Sequence, residues 1–283
     1  MSKGEKVAVI GLGNIGLPVA KHLSNFFDVV GFDIKLEAVM RGKQHGINVC
    51  RNFPKAEVYV VAVNTRWREN NSDMTAVEIT CDNISYKNKN ALVCFESTLA
   101  VGTARKFAVR FNLENVIVCP HRYWGKDEVN HGVVQLRVIG GLNESSLEKG
   151  KRFYERAKIP LHPVASLELA EITKIAENAH RFIQIAFAQE LKLIAEANGI
   201  DFQQMRQALN TKWNVSILEA REGIGGECLP KDIRYLNTLY QNSYLLKGAI
   251  AADEQYKRSI MTIPKLEVRT QNMKTILQTL YRT

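Results

Sequence analysis

The chain has 283 residues, 46% of them hydrophobic, and a formal net charge of +9, which is enough apolar material for one large domain or two ordinary ones. Five cysteines without a Cys-x-x-Cys pair exclude a disulfide scaffold and a zinc ribbon, and point to a reducing, cytoplasmic setting. No run of about 18 apolar residues occurs, and Lys and Arg are scattered rather than gathered with aromatics on one face, so neither a membrane nor nucleic acid is an expected partner.

Residues 6–10 read as a buried strand that enters Gly11-Leu12-Gly13-Asn14-Ile15-Gly16 and then a helix over 17–25. In such a turn Gly11 permits the tight bend, Gly13 lets backbone approach a pyrophosphate, and Gly16 lets the helix pack on the strand. Asn14 and Ile15 complete the loop at the helix N-terminus, which favours an anion. A second strand over 28–32 ends at Asp33, 17 residues beyond Gly16, where a carboxylate accepts hydrogen bonds from an adenosine ribose. Repulsion of a 2′-phosphate by Asp33 selects NAD over NADP, although Lys35 and Arg41 nearby leave the phosphorylated cofactor open.

Further strands are expected over 57–63, 90–96, 115–119 and 136–139, alternating with helical or loop segments. That alternation predicts an α/β fold with a doubly wound parallel sheet, a Rossmann domain over 1–160. Ligands in such sheets lie beyond the carboxyl ends of the strands. Asn64 and Thr65, then Glu96, Ser97 and Thr98, then His121 and Arg122 are the residues that follow those ends.

From 166 to 198 apolar residues recur at helical spacing and Gly199 stands as a C-cap, which predicts one long helix opening an all-helical domain over 161–283. Lys174 and Asn178 share one face of it. Downstream lies Gly223-Ile224-Gly225-Gly226-Glu227-Cys228-Leu229-Pro230-Lys231-Asp232. Gly225 and Gly226 allow a substrate close to the Cys228 thiol, Lys231 favours a thiolate, and Asp232 can carry protons. Glu227 opposes Lys231, since a neighbouring carboxylate raises a thiol pKa. Cys50, Cys81, Cys94 and Cys119 are expected to pack as small apolar residues, and Trp124 and Trp213 to lie in the core. A short basic helix is expected over 268–283.

Taken together these motifs resemble the NAD-dependent nucleotide-sugar 6-dehydrogenases, the family of UDP-glucose, GDP-mannose and UDP-N-acetylmannosamine dehydrogenases. Carrying the resemblance are the Gly11 to Pro18 turn, residues 96–103 (Glu-Ser-Thr-Leu-Ala-Val-Gly-Thr), residues 138–141, residues 170–178 and the Cys228 decapeptide. Cys119-Pro120 followed by Arg122 is most similar to the N-acetylhexosamine branch, where Cys-Pro-Glu-Arg is usual. The resemblance implies oxidation of a sugar C6 hydroxyl to a carboxylate through a Cys228 thioester, with NAD as oxidant. It also implies oxyanion donors at Lys174 and Asn178, a proton carrier at Asp232 and a cofactor-side hydroxyl at Thr98. Arg122, Gly225, Gly226 and Lys231 fall at substrate-binding positions, and a homodimer is implied.

Three features depart from that pattern, the first being Glu227, which precedes the nucleophile where a histidine, tyrosine or similar polar residue is common. His121 replaces the usual glutamate and takes its place as the candidate base for thioester hydrolysis. The family's C-terminal nucleotide-binding domain has no counterpart before Thr283, so the expectation is a truncated form, a separate subunit supplying nucleotide binding, or a substrate that is not an ordinary nucleotide sugar. Two other readings fit the residues: a two-electron 3-hydroxyacid-type dehydrogenase, which needs no Cys228, and a non-catalytic NAD-binding subunit.

Overall fold

In the computed structural model, which describes residues 4–261, the chain opens with β1 (Lys6–Ile10), α1 (Gly16–Leu23), β2 (Asp28–Phe32), α2 (Leu36–Gln44), β3 (Asn48–Val49) and β4 (Val58–Val61). There follow a hairpin of β5 (Arg66–Arg68) and β6 (Asn71–Asp73), then α3 (Thr75–Asn88), β7 (Leu92–Phe95), α4 (Thr103–Arg110) and β8 (Asn115–Val118). Next come α5 (Glu128–His131), β9 (Arg137–Gly141), α6 (Glu144–Arg156) and β10 (Leu161–Val164). Last are α7 (Leu167–Ala197), α8 (Phe202–Leu209), α9 (Cys228–Leu239) and a helix over 244–261. The basic helix expected over 268–283 lies outside the described residues. Among those residues no helix is long and apolar enough to cross a membrane.

Eight strands form one sheet in the order β10-β9-β8-β7-β4-β1-β2-β3. Because neighbouring side chains on a strand point to opposite faces, Val7 and Val9 of β1 join Val58 and Val60 of β4 beneath α1, α2 and α6. Ala8, Ile10, Tyr59 and Val61 face the other way, beneath α3 and α4. Both faces are covered, which is why these strands read as continuous apolar runs.

The sheet is parallel from β3 to β8, as the alternation predicts, but β9 pairs antiparallel with β8. A parallel neighbour requires a crossover; the β8 to β9 connection carries only the four-residue α5, and the chain returns from the same end. Four strands went unforeseen for local reasons. β3 is two residues long, β10 contains Pro163, and the β5–β6 hairpin is polar, turning through Glu69 and Asn70 with φ of 48° and 58°.

The described residues form two compact units that divide after Ile175, inside α7. Helix α7 is 31 residues long, close to the expected span, and Gly199 closes it at φ +66° with Ile200 N–H donating to the Ala195 carbonyl. Every regular element among the second unit's described residues is a helix. Cys81, Cys94 and Cys119 are buried and Cys50 is partly so. Trp124 and Trp213 depart from expectation, being 51% and 92% exposed, and each lies outside the helices and strands.

Candidate functional site

At the end of β1 the chain turns through Gly11 at φ +93°, where an added Cβ would stand 2.6 Å from the Ala62 carbonyl oxygen. Gly16 is packed harder: its Cβ would lie 1.7 Å from the Gly11 oxygen. Gly13 has nothing within 4 Å of the same position. The three glycines thus divide as the turn requires, two closed against the fold and one open beside the N-terminus of α1. Asn14 is exposed and Ile15 half-buried. That open side at a helix N-terminus suits an extended diphosphate, because a helix N-terminus favours an anion.

Asp33 follows β2 with its carboxylate held by the Leu12 N–H at 2.7 Å and the Lys35 N–H at 2.8 Å. It therefore braces the glycine turn while keeping lone pairs for a ribose diol. Asp33→Asn is expected to weaken NAD binding about tenfold or more, since hydrogen bonds to a charged acceptor contribute roughly 1.5–3 kcal/mol. Calorimetric titration of NAD against the variant checks this, and an unchanged Kd refutes the ribose contact.

Beyond β4 and β7 the loops are tied to one another. Thr65 Oγ1 donates to the Thr98 carbonyl at 2.7 Å, and Ser97 Oγ donates to the Val63 carbonyl at 2.6 Å. Asn64 stays exposed and Thr98 half-buried. The loop then reaches α4, whose first N–H groups are capped from α7: Glu171 accepts from Gly102 N–H at 2.6 Å and Ala104 N–H at 2.8 Å. Burial raises the Glu171 carboxyl to about 7 against the pull of those two donors. Glu171 stands one turn before Lys174, so the Thr98 loop and the Lys174 turn share one fastening.

Beneath these loops lies a charged cluster that the sequence reading did not assemble. Glu96 and Arg137 are fully buried and 3.0 Å apart, and Tyr154 donates to the same Glu96 oxygen at 2.8 Å. Burial alone would raise the Glu96 carboxyl, but Arg137 and His121 outweigh it and hold the group at about 2. His121 Nε2 stands 3.0 Å from the second Glu96 oxygen, and Nδ1 accepts from the Tyr123 N–H at 3.3 Å. Burial and then Arg137 lower the His121 pKa, with Lys174 adding to the effect. The ring is neutral at pH 7. Charged residues capping otherwise apolar strands, Glu96 after β7 and Arg137 opening β9, were the available signal. Arg122 Nη1 donates to the Leu136 carbonyl at 2.6 Å, which secures the loop between β8 and β9.

In the second unit, Cys228 is the first residue of α9 and is exposed. The expected glycine turn is present, but the thiol sits at the start of a helix rather than in a loop. Gly225 has nothing within 4 Å of an added Cβ, nor has Gly226 at φ +77°. Open space therefore flanks the sulfur on its upstream side. One turn into α9, Asp232 is fully buried; one oxygen accepts from Asn178 Nδ2 of α7 and the other from Lys231 Nζ. Lys231 is 7% exposed, with its ammonium 4.4 Å from the Tyr235 ring centroid. Asn178, Lys231 and Asp232 are thus joined in one buried polar group, and Lys174 lies four positions before Asn178 on α7.

Parallel strands covered on both faces, a glycine turn with one open side and an acidic residue after β2 define a dinucleotide-binding fold. Residues 40–158 match the NAD binding domain of the UDP-glucose/GDP-mannose dehydrogenase family, and residues 168–254 match that family's central domain. The chain belongs to the UDP-glucose/GDP-mannose dehydrogenase family, and its cofactor is NAD. It is similar to the UDP-N-acetyl-D-mannosamine dehydrogenase of Methanocaldococcus jannaschii, 29% identical over 87% of this chain and 64% of the relative. The Escherichia coli K12 enzyme of the same name is 31% identical over 80% of this chain and 63% of its own length. Among solved structures, the UDP-D-ManNAc dehydrogenase of Pyrococcus horikoshii aligns with a TM-score of 0.85 at 26% identity, covering 94% of this chain and 72% of that one. The chain thus spans slightly less than two thirds of the curated relatives' length.

Proposed function

We propose that the chain carries out NAD-dependent oxidation of a nucleotide-sugar C6 hydroxyl to the carboxylate, with a substrate of the UDP-N-acetylmannosamine type. The observation that supports it most is the setting of Cys228: an exposed thiol at the first position of α9, open space at Gly225 and Gly226, and a buried Asn178–Asp232–Lys231 group one turn away. A helix N-terminus favours negative charge on the sulfur, and a neighbouring proton relay suits a nucleophile that must shed and regain a proton.

Bound NAD accepts a hydride in each oxidation. The chain supplies the rest. Loss of the hydroxyl proton and of a hydride gives the aldehyde; the Cys228 sulfur adds to its carbon and the oxygen takes a proton, forming a thiohemiacetal. Loss of a second proton and hydride gives the thioester, and water then displaces the sulfur to leave the carboxylate and the free thiol. Lys174 and Asn178 donate to the oxygen where negative charge develops, Asp232 moves the proton, and Thr98 stands on the cofactor side. Gly225 and Gly226 bed the sugar, while Arg122 secures a substrate-side loop. His121 has one nitrogen toward Glu96 and the other toward the Tyr123 N–H, which suits a positioning residue better than the base for hydrolysis.

The same reading takes residues 1–160 as the cofactor domain and 161–283 as the helical one, in a cytoplasmic homodimer serving polysaccharide biosynthesis. Exposed Phe187, Ile194 and Leu245 on the second unit are in keeping with a subunit contact. Stoichiometry tests the chemistry. Two NADH per uronate formed from UDP-N-acetylmannosamine is the expected result; one NADH per sugar, with an aldehyde or ketone as product, refutes it.

A further inference from the structure

Upstream of Cys228 the chain is gripped at three backbone atoms by one face of the helix over 244–261. Asp253 accepts from the Ile224 N–H at 2.8 Å, Lys257 Nζ donates to the Ile224 carbonyl at 2.8 Å, and Tyr256 OH donates to the Arg221 carbonyl at 2.8 Å. Residues 253, 256 and 257 are spaced so that all three side chains fall on the same helical face. Asp253 and Lys257 are themselves paired at 2.7 Å, and Gln189 of α7 donates to Asp253 at 3.1 Å. Asp253 is 3% and Tyr256 1% exposed. An added Cβ on Gly223 would stand 2.6 Å from the Lys257 stem, so the turn is also closed against that side chain.

Nothing in the thioester chemistry uses these residues, yet they hold both polar backbone atoms of the residue that precedes the glycine bed. From Ile224 only Gly225, Gly226 and Glu227 remain before the thiol. Glycines alone would let those three residues wander. With Ile224 pinned and its side chain buried in the same apolar cluster as Ala179 and Phe182, the start of α9 has a fixed point on its upstream side to match the Asn178–Asp232 contact on its downstream side.

We infer that Asp253 and Lys257 form a clamp on Ile224 that positions the Cys228 thiol at the N-terminus of α9 and so sets its reactivity. Both act through Ile224, as positioning residues. The inference rests on Cys228 being the nucleophile of the proposed reaction, but its test does not need that reaction.

The full chain is alkylated with iodoacetamide across a pH series, and modification of Cys228 is followed by peptide mass spectrometry for wild type, Asp253→Asn, Lys257→Met and Lys257→Arg. Since Cys228 is already exposed, access does not limit the rate; thiolate content does. Lys257→Met and Asp253→Asn are expected to slow alkylation at pH 7 by roughly three- to tenfold, in proportion to the fall in thiolate when the sulfur leaves the helix N-terminus, with Lys257→Arg restoring most of it. Amide exchange over residues 179–197 reports whether the unit stays folded. Rates within error of wild type in a folded variant overturn the clamp. Loss of exchange protection in both Asp253→Asn and Lys257→Met also overturns it, because the pair then holds the unit's fold rather than the thiol. If Cys228→Ser keeps full turnover while the clamp variants still slow alkylation, the thioester reading fails and the clamp stands.

Discussion

Cys228→Ser is expected to reduce steady-state formation of the uronate by roughly a thousandfold or more, the scale on which loss of a covalent nucleophile is felt, while NAD binding is unchanged. A serine hydroxyl at the same position is a much weaker nucleophile at neutral pH, because a hydroxyl ionises far less readily than a thiol. The first oxidation does not require the sulfur. An aldehyde that escapes after one NADH, trapped by hydroxylamine as its oxime, is therefore the expected signature of the variant. Full retention of two NADH per sugar would remove the thioester step altogether. Calorimetry with NAD on the same variant separates this from damage to the cofactor turn.

The second large effect concerns stability. Glu96→Gln leaves the buried Arg137 guanidinium without its counter-charge, and breaking a buried ion pair from one side costs about 3–5 kcal/mol. Its pH dependence follows from sign. The Glu96 carboxyl is held at about 2 in the folded protein, below its value of about 4.3 in an unfolded chain, so its contribution is fully present above the unfolded value and is lost as pH falls toward 2. That loss amounts to about 3 kcal/mol. His121 works in the same direction: its pKa is lowered by burial and Arg137, so the unfolded chain takes up that proton first as pH falls below about 6.5. Urea unfolding of wild type between pH 7 and 3 should show stability falling below about pH 4.5, whereas above that range the Glu171 carboxyl, raised to about 7, takes up its proton first in the folded protein and opposes the His121 loss. In Glu96→Gln the whole curve drops and the fall below about pH 4.5 flattens. A variant that kept the wild-type slope there would show that Arg137 does not hold the Glu96 charge.

The residues that were legible in sequence are those whose roles are local. Gly11, Gly13 and Gly16 act within one turn of chain, and Asp33 reaches back only to Leu12, so spacing alone foretold them. The long helix and its Gly199 cap followed from periodicity for the same reason. Cys228 stood out because glycines and a charged pair surround it in ten consecutive residues. Less legible was what each polar group faces. His121 reads in sequence as a free base, and in the fold it sits against Glu96 because two strands set the pair side by side. Glu171 looks like one more charge on an exposed helical stripe, yet it is buried as the cap of α4.

By itself, then, the sequence determined a parallel α/β sheet with an NAD-binding turn, a long helix and a thiol on a glycine bed, because strand alternation, helical period and turn chemistry are written over short stretches. Tertiary structure alone decided the direction of β9, the pairing of Glu96 with Arg137 across 41 residues, and the grip of Asp253 and Lys257 on Ile224 from 29 and 33 residues away. Those contacts join partners with no shared local pattern, and each is stabilised by burial of groups whose desolvation has to be met by one particular distant partner.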